Sequence, residues 1–294
     1  MNWNIQSNAL VALAAAIAWG GGDFAGGMGV KAAGGSLRAA LRVILLSHFT
    51  SFAVLAAIIL LRHESMPHGA LLGWSLLAGF AGGTSVTAFY IALSRGEMGV
   101  SAAISGLLAA AIPALVSLVL EGAPGALRLA GFAFAFVAIW VIAAGPSTGN
   151  SGRGTLALAI CAGIGFGVYF VALRMANPLG VFVPLAVARI GSLTTCGLTL
   201  LVLWLRGGAA DKDAGRINRS AALWALSVVL LDTGGNMLFV WATRLGRLDV
   251  AAVLASLYPA STILLAAWRL HERPTRRQIA GMVMAVAAVV MVTL

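Results

Sequence analysis

Gly246–Gly281 reads GRLDVAAVLASLYPASTILLAAWRLHERPTRRQIAG: an apolar run broken by Pro259, a charged turn at His271-Glu272-Arg273-Pro274, and the start of a second apolar run. Gly96–Gly131 reads GEMGVSAAISGLLAAAIPALVSLVLEGAPGALRLAG. In each stretch the flanking glycines lie 35 positions apart, and the two stretches are offset by 150. At that offset Val100 answers Val250, Ala102 answers Ala252, and Phe89-x-x-Ala92 answers Phe239-x-x-Ala242. Glu121 answers Glu272 after a one-residue slip, each opening a polar turn between apolar runs. A repeat of about half the chain therefore organises the sequence, and self-similarity on this scale fixes the architecture before any single element does.

The 294 residues are 61% hydrophobic and only 10% charged, with a mean hydropathy of +0.98. A soluble domain carries roughly 25% charged residues, so the chain reads as a membrane protein. Its net charge of +10 raises the question of nucleic acid. The basic residues, however, sit in short loops and show no interleaving with aromatic residues of the kind that tracks a phosphate backbone. They read as topology-setting charges, and no nucleic-acid partner is expected. Cys161 and Cys196 each lie in an apolar segment with no CxxC partner, as small buried hydrophobes do. The opening MNWNIQSN lacks the basic start of a signal peptide, so the first apolar run is expected to be a retained span.

Crossing the hydrocarbon core takes about 20 mostly apolar residues. Ten such runs can be drawn, at 8–29, 38–61, 69–92, 98–120, 126–144, 155–175, 181–205, 220–243, 248–270 and 276–294. Between the fifth and sixth, Gly145–Gly154 has the composition of a flexible linker. The expected organisation is a five-helix repeat over 1–144, a linker over 145–154 and a second five-helix repeat over 155–294. The polar stretch from Arg206 to Arg219 reads as a solvated connector between spans seven and eight. With an odd number of spans per repeat, the second copy starts from the opposite side, and the repeats are inverted. That is one of the arrangements on which secondary transporters are built. Thirteen of the 19 basic residues fall on the side of loops 1–2, 3–4, 5–6, 7–8 and 9–10, against five on the side of the termini. By the positive-inside rule both termini are expected outside the cytoplasm.

The segment from Pro259 through His271-Glu272-Arg273-x-Thr275-Arg276-Arg277-Gln278-x-x-Gly281 resembles the signature ending of the drug/metabolite transporter superfamily, EamA branch. Ala18-Trp19-Gly20-Gly21-Gly22-Asp23-Phe24 is similar to the family's Trp-Gly-x-x-Phe motif in the first span, and Arg42 matches a basic residue opening the second. The resemblance covers nearly the whole chain, and within the branch it points to YddG-type amino-acid exporters. The usual Gly-Glu is replaced by His271-Glu272 in one half and Leu120-Glu121 in the other. The family arrangement implies a cavity among spans 1, 3, 4, 6, 8 and 9.

Ionisable groups inside spans are the sharpest chemical signal, because a charge at the bilayer centre costs at least about 2.5 kcal/mol. Asp232 lies near the middle of span eight with Asn236 at i+4 on the same face, and its repeat counterpart is Gly82. It reads either as a substrate or proton group or as a structural hydrogen-bonding residue. Asp23 shares a face with Trp19 and reads either as functional or as an interfacial residue. Arg189, inside span seven, could pair with a carboxylate, but snorkelling to the interface is the expected behaviour. His48 in span two reads as a proton carrier or, more commonly, as a neutral packing residue.

Gly22-x-x-x-Gly26, Gly79-x-x-x-Gly83 and Gly163-x-x-x-Gly167 read as close helix contacts. Gly20, Gly21 and Gly22 in succession weaken a helix by about 1 kcal/mol each relative to Ala, which marks span one as a place to bend. Pro113 and Pro259 each free a carbonyl near mid-span and join these glycines as candidate hinges. No nucleotide-binding, hydrolase or metal-ligand motif occurs, so neither an enzyme nor a metal or other cofactor is expected.

The expectation is an all-α membrane protein of ten helices in two inverted repeats. It would be a monomeric secondary transporter of the inner membrane, exporting small metabolites, amino acids first, with protons as a candidate coupling ion. Trp19, Asp23, Tyr90, Ser105, Tyr169, Asp232, Asn236 and Tyr258 are the expected substrate-binding residues. The rivals are a channel-like pore, for which no filter motif or polar stripe is visible, and a non-transporting scaffold or receptor, for which the loops are short.

Overall fold

The computed structural model describes residues 3–94, 98–143, 153–206, 216–271 and 274–294. Gly96, most of the linker, most of the Arg206–Arg219 connector and Glu272-Arg273 lie outside the described residues. The described chain is helical throughout: α1 (Trp3–Ala32), α2 (Leu37–Leu61), α3 (Gly69–Ser94), α4 (Met98–Glu121), α5 (Ala126–Ala143), α6 (Arg153–Met175), α7 (Phe182–Arg206), α8 (Arg219–Leu245), α9 (Leu248–Ala255), α10 (Tyr258–Leu270) and α11 (Arg276–Thr293). Among the described residues, nine segments are long and apolar enough to cross a membrane, α9 and α10 counting as one, and α5 is a shorter apolar helix. All ten expected runs are helical, the ninth in two pieces.

Helices are the natural form here, since each satisfies its own backbone where lipid offers no hydrogen bonds. Their ends are closed by local chemistry. Ser36 accepts from the Ala39 amide (3.1 Å) to start α2, Asn218 accepts from the Ala221 amide (2.8 Å) to start α8, and Thr275 with Gln278 forms a capping box on α11. Arg38 donates to the Leu203 carbonyl (2.6 Å) in the last turn of α7.

The candidate hinges behave differently from one another. α1 runs unbroken through Gly20–Gly22. The small residues there let α10 approach, for a Cβ at Gly20 would stand 2.4 Å from Ser261 Cβ. Pro113 lies inside an unbroken α4. Pro259 sits in the first turn of α10, behind a true interruption at Ser256–Leu257. A proline is tolerated in a first turn, where its missing N–H has no intrahelical partner.

α1 packs on α8 as α6 packs on α3, α4 lies on α6 as α9 and α10 lie on α1, and α2 meets α7 while α5 meets α11. Exchanging the two halves leaves this pattern unchanged. The outer surface is apolar: Val119 is 86% and Leu230 77% exposed. Polar side chains such as Ser51, Arg189, Thr233 and Asn236 are buried inside. That inside-out distribution suits a lipid solvent.

Glycines set the closest approaches. A Cβ at Gly79 would stand 2.2 Å from the Ala188 carbonyl oxygen, and one at Gly163 2.8 Å from Ser105 Cα. Backbone cannot yield as a side-chain end can. Gly79→Ala is therefore expected to lower stability by about 1–3 kcal/mol through overpacking. Gly27→Ala, with nothing within 4 Å of its Cβ, gains helix propensity with no clash. Thermal denaturation in detergent distinguishes them, and equal melting temperatures would remove the close-packing reading of Gly79.

Candidate functional site

The middle of the helix bundle holds a cavity of about 190 Å3. That is below the roughly 300–1,000 Å3 of drug-sized pockets and suits a small metabolite. Trp19 and Asp23 of α1, Tyr90 of α3, Tyr169 of α6, Asp232 and Asn236 of α8 and Tyr258 of α10 all line it. Ser105 does not. It is buried at the α4–α6 contact under Gly163 and donates to the Ser101 carbonyl (2.7 Å). Two helices outside the expected set also contribute: α2 with Ser47 and His48, and α7 with Arg189 and Ser192.

The floor of the cavity is aromatic. Trp19 stacks on Phe170 at 5.3 Å and 12°, Phe170 meets Phe239 at 4.6 Å, and Tyr258 stands edge-on to Trp19 at 6.5 Å. Gly235 makes room for Trp19, since a Cβ there would lie 2.4 Å from the indole ring. Gly82 likewise faces the Tyr169 ring, 3.0 Å from a would-be Cβ. The small residue opposite Asp232 in the repeat is thus occupied by an aromatic side chain from the other half.

One wall is a connected polar network. Arg189 is buried and does not snorkel: its guanidinium donates to Asp232 (2.6 Å) and, through Nε, to Ser51 (3.1 Å). The expectation of an interfacial arginine is corrected by the opposite charge one helix away, which makes an inward rotamer the lower in energy. Ser51 and Thr233 share a hydrogen bond (2.7 Å), and Asn236 donates to the Asp232 carbonyl (2.6 Å) and accepts from the Tyr169 hydroxyl. His48 is hydrogen-bonded to Ser192 (2.9 Å). Every member of this wall has a partner inside the protein.

The opposite wall differs. Asp23 is exposed to the cavity, and it makes no hydrogen bond or ion pair among the described residues. Gly22 beside it packs on the Asp232 backbone, 3.4 Å from a would-be Cβ to the amide nitrogen, which brings the two carboxylate-bearing helices together.

Toward the side of the termini the cavity is sealed. Every residue of α9 is buried. α9 has no side-chain cap of its own, and Glu121 from the end of α4 supplies one, accepting from the Leu248 amide (3.0 Å). Glu121 also accepts from Ser117 (2.7 Å) and pairs with Arg174 of α6 (3.2 Å). Arg247 donates to the carbonyls of Glu121 (2.9 Å) and Gly122 (2.7 Å) and pairs with the buried Asp249 (2.7 Å). The bonds from Asp249 raise the pKa of Arg247 further, so this cation is fixed in place. Asn8 donates to the Ala242 and Arg247 carbonyls (3.0 and 3.1 Å). This knot ties α4 of one half to the α8–α9 turn of the other. Toward the α1–α2 side the cavity extends past Gly26, Val43 and Val228, and there the halves are joined by Arg38 donating to the Leu203 carbonyl (2.6 Å) and Asn218 donating to the Ala32 carbonyl (2.7 Å).

Among residues the sequence did not place in the site, Arg189 and His48 carried the signal of ionisable groups in spans. Phe89 carried the echo of Phe239, and Phe166 and Phe170 carried none.

Residues 153–294, just under half of the chain, match the EamA-like transporter family. A protein of known crystal structure, 17% identical, superposes with a TM-score of 0.73, covering 97% of this chain and 96% of that one. At that identity the likeness shows the fold alone. No curated protein matches the chain.

Proposed function

We propose that the segment matching the EamA-like transporter family and the half preceding it are two inverted copies of one unit, working as a secondary transporter of the drug/metabolite superfamily. It carries small amine-bearing metabolites, amino acids among them, outward across the inner membrane by alternating access. The observation that supports this reading is the shape of the cavity: charged groups in its lining, the wholly buried α9 and its polar knot toward the termini, and an extension past Gly26, Val43 and Val228 toward the other side. Exchanging the conformations of two inverted halves would open the sealed side and seal the other. In this reading Trp19, Tyr90, Tyr169 and Tyr258 enclose the substrate, and the interruption before Pro259 lets α10 move relative to α9. A channel would need a continuous polar path, and the buried α9 favours the carrier reading instead.

The test is uptake into proteoliposomes against a panel of amino acids and amines. Saturable uptake of at least one is expected, and no uptake above protein-free vesicles for any would contradict the proposal. The thirteen-to-five basic asymmetry supports a topology with both termini outside the cytoplasm. With exposed Cys161 replaced by serine, a cysteine in the 207–215 connector is expected to resist an impermeant thiol reagent in intact cells. Ready labelling there would reverse the orientation.

A further inference from the structure

The polar groups of the cavity divide into two sets, and the division says what kind of substrate charge the site is built to meet. On the α2, α7 and α8 side the charges cancel: Arg189 and Asp232 form an ion pair at 2.6 Å, and their neighbours are joined to them. On the α1, α3 and α10 side three polar groups line the cavity with no internal partner among the described residues: the Asp23 carboxylate and the hydroxyls of Tyr90 and Tyr258. Gly26, one turn from Asp23, leaves the Tyr90 hydroxyl 4.0 Å from a would-be Cβ, so the phenol reaches across to the Asp23 face of α1. Trp19, a turn before Asp23, and Tyr258 present ring surface at right angles to one another.

We infer that the cavity selects substrates with net positive charge, a primary or alkylated ammonium held by Asp23 between the Trp19, Tyr90 and Tyr258 rings, over zwitterions and anions of the same size. The inference rests on the transporter reading and narrows its substrate class. An uncompensated carboxylate in a low-dielectric site is costly, and an ammonium group relieves that cost with a charge-assisted hydrogen bond. Aromatic faces add cation–π attraction. A free carboxylate on the substrate finds no matching group. Among the described residues the arginine in the lining, Arg189, is held by Asp232, and Asp23 repels a second negative charge. Amines lacking a carboxylate, esterified amino acids and basic amino acids therefore fit better than neutral amino acids.

The test is titration calorimetry on the purified full-length protein with four probes of one skeleton: 2-phenylethylamine, phenylalanine methyl ester, phenylalanine and 3-phenylpropionate. The amine and the ester are expected to bind about tenfold or more tightly than phenylalanine, with no binding of the acid. Asp23→Asn should weaken the amine and the ester about tenfold or more, while Asp23→Glu retains most of the affinity. Because Asp23 has no internal partner, both variants should elute as the wild type does, which separates lost binding from lost folding. Phenylalanine or the acid binding as tightly as the amine, amine affinity unchanged in Asp23→Asn, or no binding of any probe would overturn the inference. The transporter reading fails separately. Uptake of a zwitterion that ignores Asp23→Asn keeps the carrier and removes the cation site, whereas amine binding with no uptake of any compound does the reverse.

Discussion

Asp232→Asn is expected to destabilise the protein by roughly 3 kcal/mol, because it leaves the Arg189 guanidinium buried without its counter-charge. The geometry decides the size. Arg189 is 8% exposed and Asp232 31%, so the arginine has little water to fall back on, while the carboxylate meets the cavity. An amide in place of the carboxylate keeps one acceptor but not the charge. Arg189→Gln/Asp232→Asn removes both charges and is expected to recover most of the loss, leaving a coupling between the two sites well above the roughly 0.5 kcal/mol of independent positions. The readout is denaturation in detergent of the wild type, both single variants and the double. Additive effects would mean that the ion pair does not support the fold.

This expectation differs from what the sequence alone suggests for Asp232, and the reason is physical. A carboxylate in mid-span is legible as a costly group, but its partner is set by helix rotation. Arg189, 43 positions earlier, could as well have turned to the interface. The spans were legible because lipid demands long apolar runs, and the echo between the two stretches because their glycine spacing recurs. A proline alone does not say whether it interrupts a helix. Pro113 lies in a continuous α4 and Pro259 behind a break, although the two occupy similar places in the echoing stretches. Trp19, Asp23, Tyr169 and Asn236 were legible as polar or amphipathic residues among apolar ones. Ser105 met the same criterion yet lies in a helix contact, since a serine hydroxyl is satisfied by the carbonyl a turn back. The Glu121–Arg247 knot was not legible at all, its members standing 126 positions apart.

That knot carries the second large effect. Arg247→Ala removes donors to the Glu121 and Gly122 carbonyls and the partner of Asp249, all of which hold α4 against α9. Hydrogen bonds to charged groups contribute about 1.5–3 kcal/mol each. Losing them should shift the population away from the state sealed on the terminal side by about tenfold or more. Val250, which is buried in α9, reports the shift as a cysteine. In a Cys161→Ser background, Val250→Cys is expected to react slowly with an impermeant thiol reagent, and much faster when Arg247→Ala is added. Equal rates would mean that the knot caps helix ends without controlling access. Glu121→Gln, which keeps an acceptor for the Leu248 amide but loses the charge facing Arg174, should give a smaller change of the same sign.

The central claim is that substrate crosses in the cavity as the protein alternates between sides, not along an open path. Counterflow tests it most directly. Proteoliposomes are loaded with an unlabelled substrate from the panel and diluted into a trace of the same compound carrying a label. The account predicts a transient accumulation of label inside above its equilibrium level, dependent on the internal unlabelled substrate and reduced by Asp23→Asn. A monotonic approach to equilibrium, indifferent to what the vesicles contain, would contradict it and identify a pore.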